Sequence, residues 1–231
     1  MKALYTFLAL TFLTQILLGQ EKQTRNLSDF DAISVSSSGN VYVTQGNTFE
    51  VVVEAKSKDL EKIETEVKRG KLYISTESSS WFFWGKSVDD FNVYITLPEL
   101  RGVSVSGSGR VNGASDFNTD DFSSSVSGSG RIDLNVTAAN ISSSISGSGR
   151  IQLSGQAEAV KLSISGSGRF NAEELMVQNY NVSISGSGNS TLSVQNKLDV
   201  RIAGSGSVRY RGSQVSVNTS IAGSGSVRKI D

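Results

Sequence analysis

The feature that most constrains this chain is a spacing. A Gly-Ser-Gly triplet recurs with its first glycine at Gly107, Gly128, Gly147, Gly166, Gly186, Gly204 and Gly223, so the interval is 18 to 21 residues each time. A low-complexity linker rich in Gly and Ser has no reason to keep a period. A period near 20 residues is the mark of a repeat architecture in which each unit stacks on the next.

The flanks keep the same register. Two residues before each first glycine stands Val105, Val126, Ile145, Ile164, Ile184, Ile202 or Ile221, always β-branched and apolar. Two residues after each second glycine stands Val111, Ile132, Ile151, Phe170, Ser190, Val208 or Val227, apolar in all but Ser190. Polar residues alternate with them, which is the period-two pattern of a half-buried strand. Each unit is therefore a strand, a glycine corner, a second strand and a polar return such as Thr137 to Asn140. One unit cannot bury its apolar face alone; stacked coils can, with equivalent side chains about 4.8 Å apart. The predicted fold is all-β: a single-stranded, right-handed parallel β-helix (β-solenoid) with coils of about 20 residues.

The array reaches back beyond the first full triplet. Val35-Ser36-Ser37-Ser38-Gly39-Asn40-Val41 aligns with Val105 to Val111, with Ser37 in place of the first glycine. Residues 30–100 read as irregular N-terminal coils and residues 101–231 as the regular repeats of one domain. Strands are expected at Phe49 to Ala55, Leu72 to Thr76 and Phe91 to Leu97, the last ended by Pro98. Leu60, Ile63 and Val67 fall at helical spacing, so a short helix or helical turn is expected within 59–68. Residues 20–29 read as a linker. The final coil has no obvious cap, so either the solenoid ends pair in an oligomer or the N-terminal segment covers it.

Residues 1–19 read as a signal peptide. Lys2 is a short basic region, Ala3 to Leu18 is apolar apart from Thr6, Thr11, Thr14 and Gln15, and Gly19 suits a cleavage site. The expected location is outside the cytoplasm: periplasm, outer-membrane surface or extracellular. No later run is long enough to span a bilayer. The sequence contains no cysteine, so anchoring through an N-terminal lipid-bearing cysteine is not expected.

Composition narrows the chemistry. With 22 basic and 22 acidic residues there is no basic excess, and nucleic acid is not an expected partner. Cysteine and histidine are both absent, which removes disulfides, the usual zinc ligands and histidine acid–base catalysis. No catalytic, cofactor or metal residue is assigned. Acidic groups occur at Asp116, Asp120 and Asp121 and at Asp89-Asp90, but neither set recurs on neighbouring coils as a polysaccharide lyase or hydrolase would need.

Two candidate contact regions remain. Trp81, Phe82, Phe83 and Trp84 form an aromatic run that cannot all face inward from one strand. It is either a patch that stacks on sugars or a partner, or a flap that seals the solenoid. Arg110, Arg131, Arg150 and Arg169 directly follow the second glycine, and Arg209 and Arg228 continue the stripe two residues further on. This basic stripe is either a contact for an acidic polymer or a solvated face that discourages edge pairing, offset locally by Asp133, Glu173 and Glu174.

As a set, Phe30-Asp31-Ala32-Ile33-Ser34-Val35-Ser36, Val41-Tyr42-Val43-Thr44-Gln45-Gly46, Val67-Lys68-Arg69-Gly70-Lys71-Leu72-Tyr73-Ile74, Val93-Tyr94-Ile95-Thr96-Leu97-Pro98-Glu99-Leu100 and Val103 to Gly109 with its copies are specific. From Phe30 onward the chain resembles the bacterial auto-transporter adhesin, head GIN domain family. The resemblance implies a right-handed β-helix from secreted or envelope proteins of Bacteroidetes-like bacteria, adhesin-like or structural, with no catalytic residues to carry over. For a surface or periplasmic binding module of this kind the expected partner is envelope or host polysaccharide, or a protein. Many relatives are lipid-anchored, and this chain departs from them in lacking the cysteine.

Overall fold

The computed structural model describes residues 20–76, 88 and 91–231; the expected signal peptide lies outside them. The strands are β1 (Gln20–Arg25), β2 (Ala32–Ser36), β3 (Asn40–Gln45), β4 (Glu50–Lys56), β5 (Ile63–Lys68), β6 (Lys71–Thr76) and β7 (Asn92–Leu97). A single helical turn, α1 (Ser57–Leu60), separates β4 from β5. The repeats supply β8 (Gly102–Gly107), β9 (Arg110–Asn118), β10 (Asp121–Gly128), β11 (Arg131–Gly147), β12 (Arg150–Gly166), β13 (Arg169–Gly186) and β14 (Asn189–Gly204). They end with β15 (Ser207–Arg211), β16 (Ser216–Ala222) and β17 (Ser226–Lys229).

The repeats stack as parallel coils about 19 residues apart, forming the expected β-solenoid. Val105, Val126, Ile145, Ile164, Ile184, Ile202 and Ile221 are successive partners in one ladder. Val111, Ile132, Ile151, Phe170, Ser190, Val208 and Val227 form the other. Burial of these ladders is the main favourable term, since each coil removes the apolar faces of its neighbours from water.

The glycine corner has a double geometric requirement. The first glycine of each triplet is left-handed, with φ of 110° at Gly166. The second is pressed against the coil beneath: a Cβ at Gly188 would lie 2.5 Å from Ile164 Cγ2. Only glycine meets both demands. Hydrogen bonding runs on through the corner, with Ser148 N–H donating to Gly128 O at 2.9 Å and Arg150 N–H to Gly130 O at 3.0 Å.

The N-terminal part departs from simple succession. β2 and β3 form a coil in register with β8 and β9, pairing Val35 with Val105 and Val41 with Val111, as the degenerate repeat predicts. The chain then makes β6 and β7 on the opposite side of that coil, with Ile74 on Val35 and Val93 on Val41. The first coil is thus sandwiched between a later one and the regular array. The crossing back to β8 is fixed by fully buried Leu100 and by Arg101 N–H donating to Asp31 O at 2.7 Å.

Two expectations are corrected here. The helix within 59–68 is confined to the turn at Ser57–Leu60, and Ile63–Lys68 is strand β5 in an antiparallel hairpin with β6. Ile63, Thr65 and Val67 are β-branched on one side of the strand, and Arg69 (φ 53°) and Gly70 (φ 74°) form the two-residue turn. Two left-handed residues in succession match the turn that joins twisted antiparallel strands. The linker expected at 20–29 is in large part strand β1, antiparallel to β4. Its side chains are polar and mostly exposed, so no hydrophobic period marks it; Arg25 Nη2 fastens it by donating to Leu60 O at 3.0 Å.

These antiparallel strands cover the N-terminal end only. β5 lies along β6, β4 along β7 and β1 along β4. The final coil, β16 and β17, pairs inward with β14 and β15 and has no outer partner among the described residues. Among the described residues no part of the N-terminal segment caps that coil.

Candidate functional site

The corner dictates where the arginines stand. The residue after each second glycine donates its N–H to the glycine of the preceding coil, at 3.0 Å for Arg110 on Gly39, 2.9 Å for Arg131 on Gly109, and 3.0 Å for Arg169 on Gly149. Its side chain points outward because the next residue, such as Ile132 or Phe170, fills the core. Arg110, Arg131, Arg150 and Arg169 are consequently direct ladder partners, continued by Asn189, Ser207 and Ser226. A second column two residues along the same face runs Asn112, Asp133, Gln152, Asn171, Thr191, Arg209 and Arg228. All six expected arginines lie on one face. The stripe steps from the first column to the second across the coil that carries Asn189 and Thr191.

Among the described residues none of these six guanidiniums is in an ion pair, whereas Arg101 is paired with Glu99 at 2.9 Å and Arg211 with Glu173. Arg150, Arg169, Arg209 and Arg228 surround a concavity of about 620 Å³. Its floor includes Asn171, Asn189 and Thr191, with Asn189 Oδ1 accepting from Ser207 Oγ at 2.6 Å and Thr191 Oγ1 accepting from Arg209 at 3.4 Å. Among the described residues the one carboxylate at its rim, Glu173, is the partner of Arg211. The sequence pointed to the arginines but not to these hydrogen-bonding residues; their signal was the alternation that puts positions two apart on one face.

A second groove, about 880 Å³, follows the opposite corner of the coils. It is lined by Gln156, Gln178, Gln195, Asp120 and Glu158 around Ala157. Two of the three acidic residues considered for catalysis near this corner, Asp116 and Asp121, are tied into coil-to-coil rungs, while Asp120 lines the groove. Asp116 accepts from Asn135 Nδ2 at 2.6 Å and Asp121 from Asn140 Nδ2 at 3.0 Å. Among the described residues there is no group of three or more carboxylates that could hold a metal ion. Trp81, Phe82, Phe83 and Trp84, and Asp89-Asp90, lie outside the described residues.

Shifted acid–base groups sit away from the arginine face. Glu99 is held below the usual carboxylate range by the Arg101 guanidinium and the Thr119 hydroxyl. Glu54 is lowered chiefly by the Tyr94 phenol, 2.7 Å away. Glu54 fastens β4 to β7, and Glu99 fastens the connection before β8 to the turn after β9. No helix among the described residues is long and apolar enough to cross a membrane.

Comparison with known proteins agrees with this architecture. A "putative adhesin" from Bacteroides fragilis is 25% identical, aligns over 91% of this chain and 97% of its own, and has a TM-score of 0.84. A "putative lipid binding protein" from Parabacteroides distasonis (23% identity, 92% and 97% coverage, TM-score 0.74) shares the fold. So does a "putative adhesin" from Parabacteroides merdae (22% identity, 92% and 97% coverage, TM-score 0.69). No curated protein matches the chain. The family described as "Putative auto-transporter adhesin, head GIN domain" matches residues 29–214, and the chain belongs to that family.

Proposed function

We propose that this protein is an exported, adhesin-like binding module of the bacterial cell envelope, without catalytic activity, whose contact surface is the arginine-bearing face of the solenoid. The observation that carries this reading is the row of six guanidiniums with no ion-pair partner among the described residues, on strands held in fixed register coil after coil. Like charges stacked at strand spacing repel, so an isolated protein gains nothing from the arrangement. A chain with 22 basic and 22 acidic residues gathers them on one face without being basic overall. A surface of repeated, equivalent groups suits a polymer, which offers the same group again and again.

Membership of an adhesin-described family and the apolar N-terminal segment support export to the periplasm, the outer-membrane surface or the medium. The engagement of Asp116 and Asp121 in Asn–Asp rungs speaks against the alternative of a polysaccharide lyase or hydrolase. The test has two parts. Fractionation of the source cell should find the protein outside the cytoplasm. Purified protein should retain envelope polysaccharide or host glycan on a surface while releasing no new reducing ends or unsaturated products. Cytoplasmic retention, or turnover of the glycan, would overturn the reading.

A further inference from the structure

The concavity where the arginine stripe changes column has a composition more specific than a basic surface. Arg150 and Arg169 stand on one side, in the first column, and Arg209 and Arg228 on the other, in the second. The coil between them carries Asn189 and Thr191, which are uncharged and hydrogen-bonding. From the coil of Arg150 to that of Arg228 there are four steps, about 19 Å at the spacing of adjacent strands. The charges therefore follow a diagonal across five coils rather than a straight column. At the other end of the stripe Asp133 stands beside Arg131, so positive potential is least opposed around the concavity. Among the described residues the only rim carboxylate, Glu173, is paired with Arg211.

We propose that this concavity is a binding site for an acidic polysaccharide lying along the diagonal; the inference rests on the reading of the arginine face as a contact surface and names its ligand class and its centre. The guanidinium fork matches carboxylate and sulfate oxygens in pairs. The amide and hydroxyl groups of Asn171, Asn189, Thr191 and Ser207 can donate to and accept from sugar hydroxyls. Phe170, the one aromatic in the wall, is 1% exposed and fills the core. Among the described residues this wall offers no stacking platform of the kind single-stranded nucleic acids use. The sheet register fixes the backbone spacing of the four arginines before binding, so the ordering left to association is that of their side chains.

The test is titration of the purified full chain with polygalacturonate, dextran sulfate, neutral dextran and a single-stranded oligonucleotide. Two variants are compared, Arg150→Gln/Arg169→Gln and Arg209→Gln/Arg228→Gln. A third, Lys161→Gln/Arg201→Gln, removes the same charge from another face. The expected result is binding of one or both acidic polysaccharides, with polygalacturonate and dextran sulfate separating carboxylate from sulfate preference. Each arginine pair should weaken it about tenfold or more, as loss of one charge-assisted contact does, with an unchanged melting temperature. The control variant should bind within about twofold of the parent. Equal weakening by the control variant would reduce the site to net charge and overturn the proposal, and so would tighter binding of the oligonucleotide. If neutral dextran or whole cells bind and the arginine variants make no difference, the acidic ligand class is wrong while a binding role survives. If neither polymers nor cells bind, the adhesin-like reading falls as well.

Discussion

The hydroxyls of Ser124 and Ser143 lie 2.7 Å apart inside the solenoid, hydrogen-bonded to each other in a ladder whose neighbours are Val103 on one side and Leu162, Val182 and Val200 on the other. Both serines are buried, at 1% and 2% exposure. Each satisfies the other, so the pair is tolerated in an apolar column. Ser143→Ala leaves Ser124 without its partner and should cost about 1–3 kcal/mol. The double change Ser124→Ala/Ser143→Ala removes both hydroxyls and should be milder than the sum of the single changes. Urea denaturation of the four proteins of the cycle measures this; additive losses would mean that the two hydroxyls do not interact.

At the glycine corner, Gly166 has φ of 110° and a Cβ there would lie 2.7 Å from Gly147 O. Gly166→Ala should therefore destabilise by at least about 2 kcal/mol through backbone strain and collision with the coil beneath. Gly102 starts strand β8 and its nearest obstacle to a Cβ is 3.6 Å away. Gly102→Ala should change stability by less than about 1 kcal/mol. Thermal melts of the two variants should separate clearly, and equal melting temperatures would contradict the corner's role.

Tyr180 stacks between Val160 and Leu198 with its ring and hydroxyl buried, and that hydroxyl has no hydrogen-bond partner among the described residues. Burial pushes its pKa far above the ordinary 10.0. The folded protein thus keeps its proton where the unfolded chain loses one. Stability from this group is complete below pH about 10 and declines as pH rises above it. Tyr180→Phe should be at least as stable as the parent at neutral pH, because an unsatisfied buried hydroxyl disappears. It should also lose less stability between pH 9 and 11, read from urea midpoints. A steeper alkaline loss in the variant would contradict the assignment.

Ile184 and Ile221 occupy the same ladder position, yet Ile184 is 1% exposed and Ile221 41%. Ile184 is covered by coils on both sides, whereas β16, which carries Ile221, has a coil on one side only among the described residues. Ile184→Thr should cost about 2 kcal/mol or more, and Ile221→Thr less than about 0.5 kcal/mol. Amide hydrogen exchange should likewise be fastest in β16 and β17. Equal effects at the two positions would imply that the last coil is covered in solution.

The repeats were legible because one chemical demand recurs. A corner that only glycine can turn fixes the interval, and the branched residues two places either side must face inward. Ser190 interrupts the apolar ladder without breaking it: it is buried next to the large ring of Phe170, with Val208 beyond. What was not legible depended on distant pairing. That Ala32 lies beside Gly102, and that β6 and β7 pass to the far side of the first coil, follows from contacts many residues apart, which no local pattern encodes. Leu60, Ile63 and Val67 fit a helical stripe and an edge strand about equally well, and the Arg69-Gly70 turn decides for the strand. The arginines were visible as a stripe. Their concavity arises only when the two columns stand side by side, with the Glu173–Arg211 pair at its rim.

The most direct measurement is the NMR response of the arginine side-chain Nε–Hε groups to added polygalacturonate. Arg150, Arg169, Arg209 and Arg228 should shift together and saturably. Arg101 and Arg211, held in ion pairs, and Arg201, on another face, should stay in place. Shifts spread evenly over all arginines, or largest at Arg101 or Arg201, would contradict the arginine face as the contact surface.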